Sequence, residues 1–407
     1  MFESLEQIPL QELKWRWARC RTVLQEDLPG AGGVLVFSRI NIYWLSGHLA
    51  NGMFWLPLEG EPVLLLRKGL ERARLESLVQ EQHGFRSFSD LPRVLADLGR
   101  DMPENIAVEM SGLNWSLGQN FSQKLPGLKL QNADFLLSQA RMVKSQWELY
   151  KITLAGQRQA QVLEQDLPQV ISSGQSEMEL SHALWGQYFQ QGHQGHVRMG
   201  GPGEELFLGA VSAGDSSNYP TSYNGPVGLR GVHPALPYMG YAGKVWQPGE
   251  ILIVDTLFAL EGYYTDKAQV YFAGSKEQIP KQMRKAQDFC AGLQDWMQDR
   301  LQPGTTPQEL YEYCVQQAEK QGWSEGFMGL GGNKVPFVGH GIGLTVDEYP
   351  PLARKFQQPL EENMVLALEP KVALPEVGMI GVENTFRVTP QGGQSLTGGI
   401  RELICLE

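Results

Sequence analysis

The sequence has few cysteines and no long apolar run. Its four cysteines are scattered and form no CxxC pair, which argues against a disulfide framework and against a thiolate metal site. No apolar stretch approaches the length of a membrane-spanning helix. The N-terminal segment lacks a basic region followed by an apolar one, so it does not predict a signal peptide. We therefore expect a cytoplasmic protein with reduced thiols at Cys20, Cys290, Cys314 and Cys405.

Positive charge is scarce as well. The chain has 34 Lys and Arg residues against 45 Asp and Glu residues, which gives a formal net charge of -11. This balance argues against nucleic acid, and against an anionic membrane surface, as the main partner. It is compatible with a cluster of carboxylates within the fold. No short tandem repeat is visible, which argues against a solenoid.

The length of 407 residues predicts two domains. The first part alternates short apolar runs, which predict strands, with helical segments, and this alternation indicates an α/β domain over residues 1–138. Residues 139–407 begin with a long polar helix and form the second predicted domain. The predicted strands of the first domain are residues 32–37, 52–58, 62–68 and 106–110.

Residues 200–250 are rich in Gly, Pro and Tyr. Long loops inside compact domains often form the wall of a pocket, so the aromatic side chains of this segment could line a small-molecule cleft. A decorated surface loop or a protein interface would use the same residues, and these alternatives stay open. The aromatic candidates are Tyr219, Tyr223, Tyr238 and Tyr241.

Residues 251–272 predict a β-hairpin. Two runs rich in Val, Ile, Tyr and Phe flank a Glu261-Gly262 turn, and the acids Asp255 and Asp266 lie one on each run, eleven positions apart. Aspartate is disfavoured inside strands and costly to bury unless it is paired or bound to a metal. Taken alone, the hairpin leaves open that Asp255 lies at a strand end and Asp266 in the turn, both in contact with water.

Two further acids and one histidine lie in similar surroundings near the C-terminus. Glu369 and Glu383 lie in apolar, strand-like runs, and His340 lies between glycines, which permit close backbone approach. Together with Asp255 and Asp266 these acids make four carboxylates, which cannot all be buried and ionised without counter-charge. No cluster of Lys or Arg is adjacent in the sequence, so a divalent metal is the simplest counter-charge. Four unrelated acids are the alternative.

The ligand types narrow the choice of metal. An oxygen-dominated set with one imidazole suits Mn²⁺, Fe²⁺, Co²⁺ or Zn²⁺ and does not suit a soft metal. Two metals bridged by carboxylates would lower the pKa of a shared water and bind a tetrahedral intermediate. The spacing of the acids alone does not decide between such a metal site and four unrelated acids.

The order and local setting of these residues resemble the pita-bread metallohydrolases, the family of methionine aminopeptidase, prolidase, Xaa-Pro aminopeptidase and creatinase. The first metal-binding hairpin of that family resembles the segment from Asp255 to Asp266, with the same interval between the acids. The metal-binding histidine of the family falls on His340 in the motif HGIGL. Its two glutamates fall on Glu369 in LEP and on Glu383 in GVEN, so all five expected ligands occur in the expected order.

The resemblance covers residues 140–407, and the segment RINIYWLSGH at 39–48 is more loosely similar to the N-terminal domain of the prolidase and creatinase branch. It implies an α+β architecture, with a curved antiparallel sheet and flanking helices in a C-terminal pita-bread domain. The smaller N-terminal domain is expected to be a creatinase-like α/β domain. The resemblance also implies a homodimer.

The resemblance implies metal-dependent hydrolysis of the peptide bond before proline, in a dipeptide or a small peptide with proline at the second position. Two divalent ions, Mn²⁺ or Co²⁺ with Zn²⁺ or Fe²⁺ as alternatives, are expected between Asp255, Asp266, His340, Glu369 and Glu383. His340 and Glu369 are the predicted catalytic residues, with Glu369 moving the proton of the attacking water to the leaving amine. Creatinase works without metal and does not keep the five ligands, which argues against a creatinase-like mechanism.

Three departures from the family pattern fall around the substrate. Asp347 stands where these peptidases have a second histidine, seven positions after the first. Tyr219-Pro220 stands where another histidine is expected before the hairpin, and Ala268-Gln269 replaces a Thr-Arg pair. These changes leave open a metal-dependent hydrolase or lyase of a small non-peptide compound, or a non-catalytic binding protein. The candidate substrate contacts, each with a structural or solvated role as the alternative, are Asp347, His233, Tyr219 and Tyr223.

Overall fold

The computed structural model of the chain describes residues 3–199 and 205–406. The chain divides into two compact units, Met1–Arg141 and Met142–Glu407. The sequence analysis places this boundary three residues earlier, after residue 138. Among the residues that the structure describes, no helix is long and apolar enough to cross a membrane.

Helices and strands alternate through the N-terminal unit, Met1–Arg141. The four predicted strands each have a counterpart within two residues, because the apolar runs are bounded by turns. The strands at 81–84 and 129–132 were not predicted, because their sequences EQHG and KLQN are polar. The helices are α1 (Leu10–Asp27), α2 (Arg39–Ser46), α3 (Leu70–Glu76), α4 (Asp90–Asp97), α5 (Trp115–Lys124) and α6 (Asp134–Met142). The strands are β1 (Gly33–Val36), β2 (Asn51–Pro57), β3 (Val63–Lys68), β4 (Glu81–Gly84), β5 (Asn105–Val108) and β6 (Lys129–Asn132).

These strands form one mixed sheet in the order β4-β3-β2-β1-β5-β6. Strand β2 runs antiparallel to β1 and β3, and the other neighbouring pairs are parallel. The central strands are apolar at every buried position because both of their faces are covered. The arrangement confirms the α/β character of this unit.

The C-terminal unit, Met142–Glu407, has long helices with clear start signals. A capping box of Ser145 and Glu148 begins the first helix, and Thr306 followed by Pro307 begins the last. Pro280 takes the N-cap position of the third helix, which therefore begins at Lys281. The helices are α7 (Gln146–Gln161), α8 (Glu177–Gln190), α9 (Lys281–Arg300) and α10 (Pro307–Lys320).

Most of its strands form two four-stranded sheets and a hairpin. The first sheet has the order β18-β11-β10-β9 and is antiparallel except that β11 and β18 run parallel. The second has the antiparallel order β12-β13-β16-β17, and β14 and β15 form the hairpin. Helix α7 packs against β10 and β11, and α9 packs against β14, β15 and β17. The expected α+β architecture is therefore confirmed. The strands are β7 (Val197–Arg198), β8 (Glu205–Leu206), β9 (Gly209–Ala213), β10 (Ile251–Leu260), β11 (Tyr263–Ala273), β12 (Gly339–Gly341), β13 (Val365–Leu368), β14 (Lys371–Leu374), β15 (Gly378–Gly381), β16 (Asn384–Thr389), β17 (Gly392–Ser395) and β18 (Ile404–Leu406).

The hairpin β10–β11 lies between two hydrophobic cores. Its turn residues Glu261 and Gly262 have φ of 50° and 90°, as a two-residue type I′ turn requires. Successive side chains of a strand point to opposite faces, so Ile253 packs into one core while Val254 packs into the other. This two-sided burial explains why the hairpin is apolar almost throughout, and why its acids need counter-charge.

Candidate active site

The register of the hairpin places its two acids on one face of the sheet. Asp255 pairs with Ala268, and Asp266 pairs with Leu257. The acids are therefore two pairs apart and share a face, since side chains alternate with a period of two. Asp266 is 6 % exposed, and the side chain of Asp255 is 16 % exposed. The interpretation in which both acids are in contact with water is wrong.

Strand β16 brings Glu383 next to this face. The Ala268 N–H donates to the carbonyl of Glu383 at 3.2 Å. Two residues further along each strand, the Asp266 N–H donates to Thr385 Oγ1 at 2.9 Å, and that hydroxyl donates to the Asp266 carbonyl at 2.9 Å. These bonds join the two sheets at the acids, through the segments 266–268 and 383–385.

Strands β12 and β13 contribute His340 and Glu369. His340 is central in β12, whose residue Gly339 pairs with Leu368, and the Glu369 N–H donates to the Val338 carbonyl at 3.0 Å. A Cβ atom on Gly339 would lie 2.2 Å from the Ala367 carbonyl oxygen, so the pairing needs glycine there. The glycine before His340 is thus required by close backbone approach, as the sequence analysis expects.

The imidazole of His340 faces three carboxylates. Its Nε2 atom lies 3.7 Å from Asp266 Oδ2, 3.8 Å from Glu369 Oε1 and 4.0 Å from Glu383 Oε1. The Nδ1 atom lies 2.9 Å from the Gly341 carbonyl oxygen, which can only accept a hydrogen bond. A proton on Nδ1 leaves the lone pair of Nε2 directed at the carboxylates.

Lys371 is the group that the sequence analysis missed. Its side chain is fully buried, and its ammonium donates to Glu383 Oε2 at 2.6 Å and to Glu369 Oε2 at 3.1 Å. It also lies 3.1 Å from Asp255 Oδ2. The sequence analysis predicts a divalent metal as counter-charge because no cluster of Lys or Arg is adjacent, and the structure adds one buried lysine of the chain to that counter-charge. One lysine two positions after Glu369 is enough, because residues two apart in extended chain face the same side.

The charges of this cluster shift its pKa values strongly. Burial, with repulsion from Asp255 as the next cause, raises the pKa of Asp266 well above its ordinary value. Burial likewise raises the pKa of Glu383 and of Glu369, while Lys371 opposes the rise in both. Burial alone lowers the pKa of Lys371, but the carboxylates around it outweigh burial and hold that pKa well above the ordinary value.

A cleft of about 620 Å³, open to solvent, leads to the cluster. Tyr223 and Asp347 line it, and Asp347 Oδ1 lies 3.7 Å from His340 Nδ1. These two predicted substrate contacts are thus next to the acids. The apolar part of the wall is formed by Met199, Pro226, Val227, Leu229, Leu257 and Val346.

The other two predicted substrate contacts do not line the cleft. His233 is exposed, and its Nδ1 accepts a hydrogen bond from the Ala235 N–H at 3.1 Å. Tyr219 is 43 % exposed, and its ring packs under the guanidinium of Arg230. The hypothesis that His233 or Tyr219 lines the cleft is therefore wrong. Both fall in a segment whose path is set by turns and by contacts distant in sequence, which local composition does not encode.

The cluster fits one divalent cation. Ligand atoms of Asp266, His340 and Glu383 all lie within 4.8 Å of one another. Asp266 Oδ1 is buried and has no hydrogen-bond partner, which is costly for a carboxylate unless a cation satisfies it. The ammonium of Lys371 contacts Asp255, Glu369 and Glu383 on the other side of the cluster.

Comparison with known proteins identifies the family of the chain. Residues 150–390 match the model of metallopeptidase family M24, which is more than half of the chain. The chain belongs to metallopeptidase family M24. Residues 16–143 of this M24 peptidase match the creatinase/prolidase N-terminal domain. The M24 span includes all five predicted ligands and Lys371.

Named relatives of this M24 chain are distant but extend over its whole length. A curated Xaa-Pro dipeptidase from Pyrococcus furiosus is 22 % identical over 373 residues, which cover 91 % of this chain and 94 % of the relative. The structure of an Xaa-Pro dipeptidase from Bacillus anthracis has a TM-score of 0.79 at 19 % identity and covers 97 % of this chain and 100 % of that one. An X-Pro aminopeptidase from Thermotoga maritima has a TM-score of 0.75 at 22 % identity, with coverages of 96 % and 99 %. At these identities the structural likeness shows the shared fold.

Proposed function

We propose that this M24 peptidase hydrolyses the peptide bond before proline in dipeptides or short peptides, with a divalent cation bound by Asp266, His340 and Glu383. The observation that carries the proposal is the convergence of His340 Nε2 with three carboxylate oxygens at the end of an open cleft. The names of the relatives support the choice of substrate. The apolar wall around Val227 and Leu229 suits a pyrrolidine ring.

The chain's own residues have separable tasks in this reaction. A divalent cation, when bound, supplies Lewis acidity for the scissile carbonyl and lowers the pKa of the attacking water. Glu369 accepts the proton of that water and donates it to the leaving amine of proline. Burial raises the pKa of Glu369 above its ordinary value, which makes it a stronger base than an exposed glutamate. Mn²⁺ and Co²⁺ remain our choices of metal, and a cytoplasmic homodimer remains a prediction.

The substrate preference is tested with two dipeptides. We expect the Mn²⁺-loaded protein to hydrolyse Ala-Pro at least about tenfold faster than Ala-Ala, because the apolar wall contacts the proline ring. A chelator should lower the Ala-Pro rate by about a hundredfold, and added Mn²⁺ should restore it. Equal rates on both dipeptides would contradict the substrate assignment. A rate that a chelator leaves unchanged would contradict the proposed role of the cation.

A small non-peptide substrate is the second candidate, and Asp347 favours it. This carboxylate stands at the cleft beside His340, where the related peptidases are expected to have a second histidine. An acid there suits a cationic or zwitterionic compound better than the carboxylate end of a dipeptide. A panel of cyclic amides and small zwitterions, assayed beside Ala-Pro, separates the two candidates. No turnover on any of these compounds at full metal loading would favour a binding protein.

A further inference from the structure

In Glu369 and in Glu383, one carboxylate oxygen faces His340 and the other faces Lys371. The Oε1 atoms face His340 Nε2, at 3.8 and 4.0 Å. The Oε2 atoms face Lys371 Nζ, at 3.1 and 2.6 Å. In a two-metal site, a bridging carboxylate binds one metal ion with one oxygen and the second metal ion with the other. Here one of the two bridged positions holds an ammonium of the chain itself.

The acids of the hairpin divide in the same way. Asp266 Oδ2 lies 3.7 Å from His340 Nε2, and the other oxygen of this carboxylate, Oδ1, is buried without a hydrogen-bond partner. Asp255 Oδ2 lies 3.1 Å from Lys371 Nζ instead. The candidate metal group found among the described residues contains Asp266, His340 and Glu383, without Asp255. The five predicted ligands therefore surround two positions of different character.

We propose that the ammonium of Lys371 replaces one of the two cations that the family resemblance implies, so that this centre binds a single divalent cation beside His340. The inference depends on the proposed function only in that the centre takes a divalent cation.

Charge and space agree with this assignment. The four carboxylates carry at most four negative charges, and Lys371 with one divalent cation supplies three positive charges. A second divalent cation would bring the positive charge to five in a buried site and would stand within contact distance of the ammonium. Lys371 is fully buried, so leaving the cluster would require its charge to cross the protein interior. The lysine thus excludes a second cation by both charge and volume.

Metal binding by the purified full chain tests the proposal without any activity assay. Protein is expressed with Mn²⁺, dialysed against a low concentration of Mn²⁺, and analysed for manganese per chain together with its electron paramagnetic resonance spectrum. We expect about one Mn²⁺ per wild-type chain, with the spectrum of an isolated ion. Lys371→Ala, and Lys371→Ser as a second variant if the first does not fold, should bind about two Mn²⁺ with a spin-coupled spectrum.

Lys267→Met is the matched control. Lys267 is also fully buried, but it pairs with Glu164 at 3.1 Å and donates to Asn384 Oδ1 at 2.8 Å, away from the four carboxylates. Its removal should leave one Mn²⁺ per chain. A gain of a second Mn²⁺ in this control would overturn the proposal, because loss of any buried positive charge would then have the same effect.

The remaining outcomes separate the inference from the proposed function. Two Mn²⁺ in the wild type, or one Mn²⁺ in both Lys371 variants, would overturn the role of Lys371 and leave a metal-dependent function standing. No Mn²⁺ in the wild type or in any variant would overturn the inference together with the metal-dependent function. No Mn²⁺ in the wild type but one or more in the Lys371 variants would also overturn both, because the wild-type centre would then bind no divalent cation.

Discussion

His340→Ala is expected to lower kcat/KM for Ala-Pro by about a thousandfold, which corresponds to ~4 kcal/mol of transition-state stabilisation. The imidazole is the one nitrogen ligand among the described residues of the cluster, and its Nε2 lies within 4.0 Å of three carboxylates. Its loss should weaken binding of the cation and so remove part of the positive charge that balances the carboxylates. Bound Mn²⁺ should fall together with activity.

His182→Ala is the matched control for this experiment. His182 lies exposed on α8, so its removal should change neither kcat/KM nor Mn²⁺ content by more than about twofold. A His340→Ala variant with normal Mn²⁺ content and activity within tenfold of the wild type would contradict the site assignment. Measurement of metal content and kinetics on the same preparations keeps loss of metal distinct from loss of folded protein, which circular dichroism reports separately.

Lys371→Met is expected to lower the free energy of unfolding of the metal-free protein by about 3–5 kcal/mol. Methionine nearly keeps the volume of lysine but removes its charge, so Asp255, Glu369 and Glu383 lose the ammonium that contacts them. Breaking a buried ion pair from one side leaves uncompensated charge in the protein interior, which is the costly case. Urea unfolding in the presence of a chelator measures the difference.

Lys320→Met provides the comparison. Lys320 lies exposed near the end of α10, and its substitution should change the free energy of unfolding by no more than about 0.5 kcal/mol. A deficit below about 1 kcal/mol for Lys371→Met would mean that the ammonium does not balance the carboxylates. Equal slopes of unfolding free energy against urea in all three proteins are needed, because a changed slope would indicate a different unfolded state.

Much of the fold follows from local sequence signals. The hairpin around Glu261-Gly262 was predictable because a two-residue turn separates two strongly β-forming runs, and the turn has the expected positive φ values. Helix α10 was predictable from Thr306-Pro307, whose capping geometry is local. The segment before the hairpin was not, because the positions of Tyr219 and His233 depend on packing between distant parts of the chain.

The site was only half predictable for a similar reason. Asp255, Asp266, His340, Glu369 and Glu383 could be selected because each acid is unusual in an apolar run, and the structure gathers them. Lys371 was not predicted, because it is a single lysine and does not belong to a cluster of basic residues. The apolar run KVAL that begins with Lys371 gave a signal of the same kind as the acids did: a charged residue on a buried strand.

The number and position of bound metal ions test the central claim most directly. Crystals of the Mn²⁺-loaded wild-type protein, measured at the manganese absorption edge, should show one anomalous peak per chain at about 2.0–2.3 Å from ligand atoms of Asp266, His340 and Glu383. The ammonium of Lys371 should remain between Asp255, Glu369 and Glu383. Two peaks about 3.5–4 Å apart, with Lys371 displaced from the carboxylates, would contradict the account.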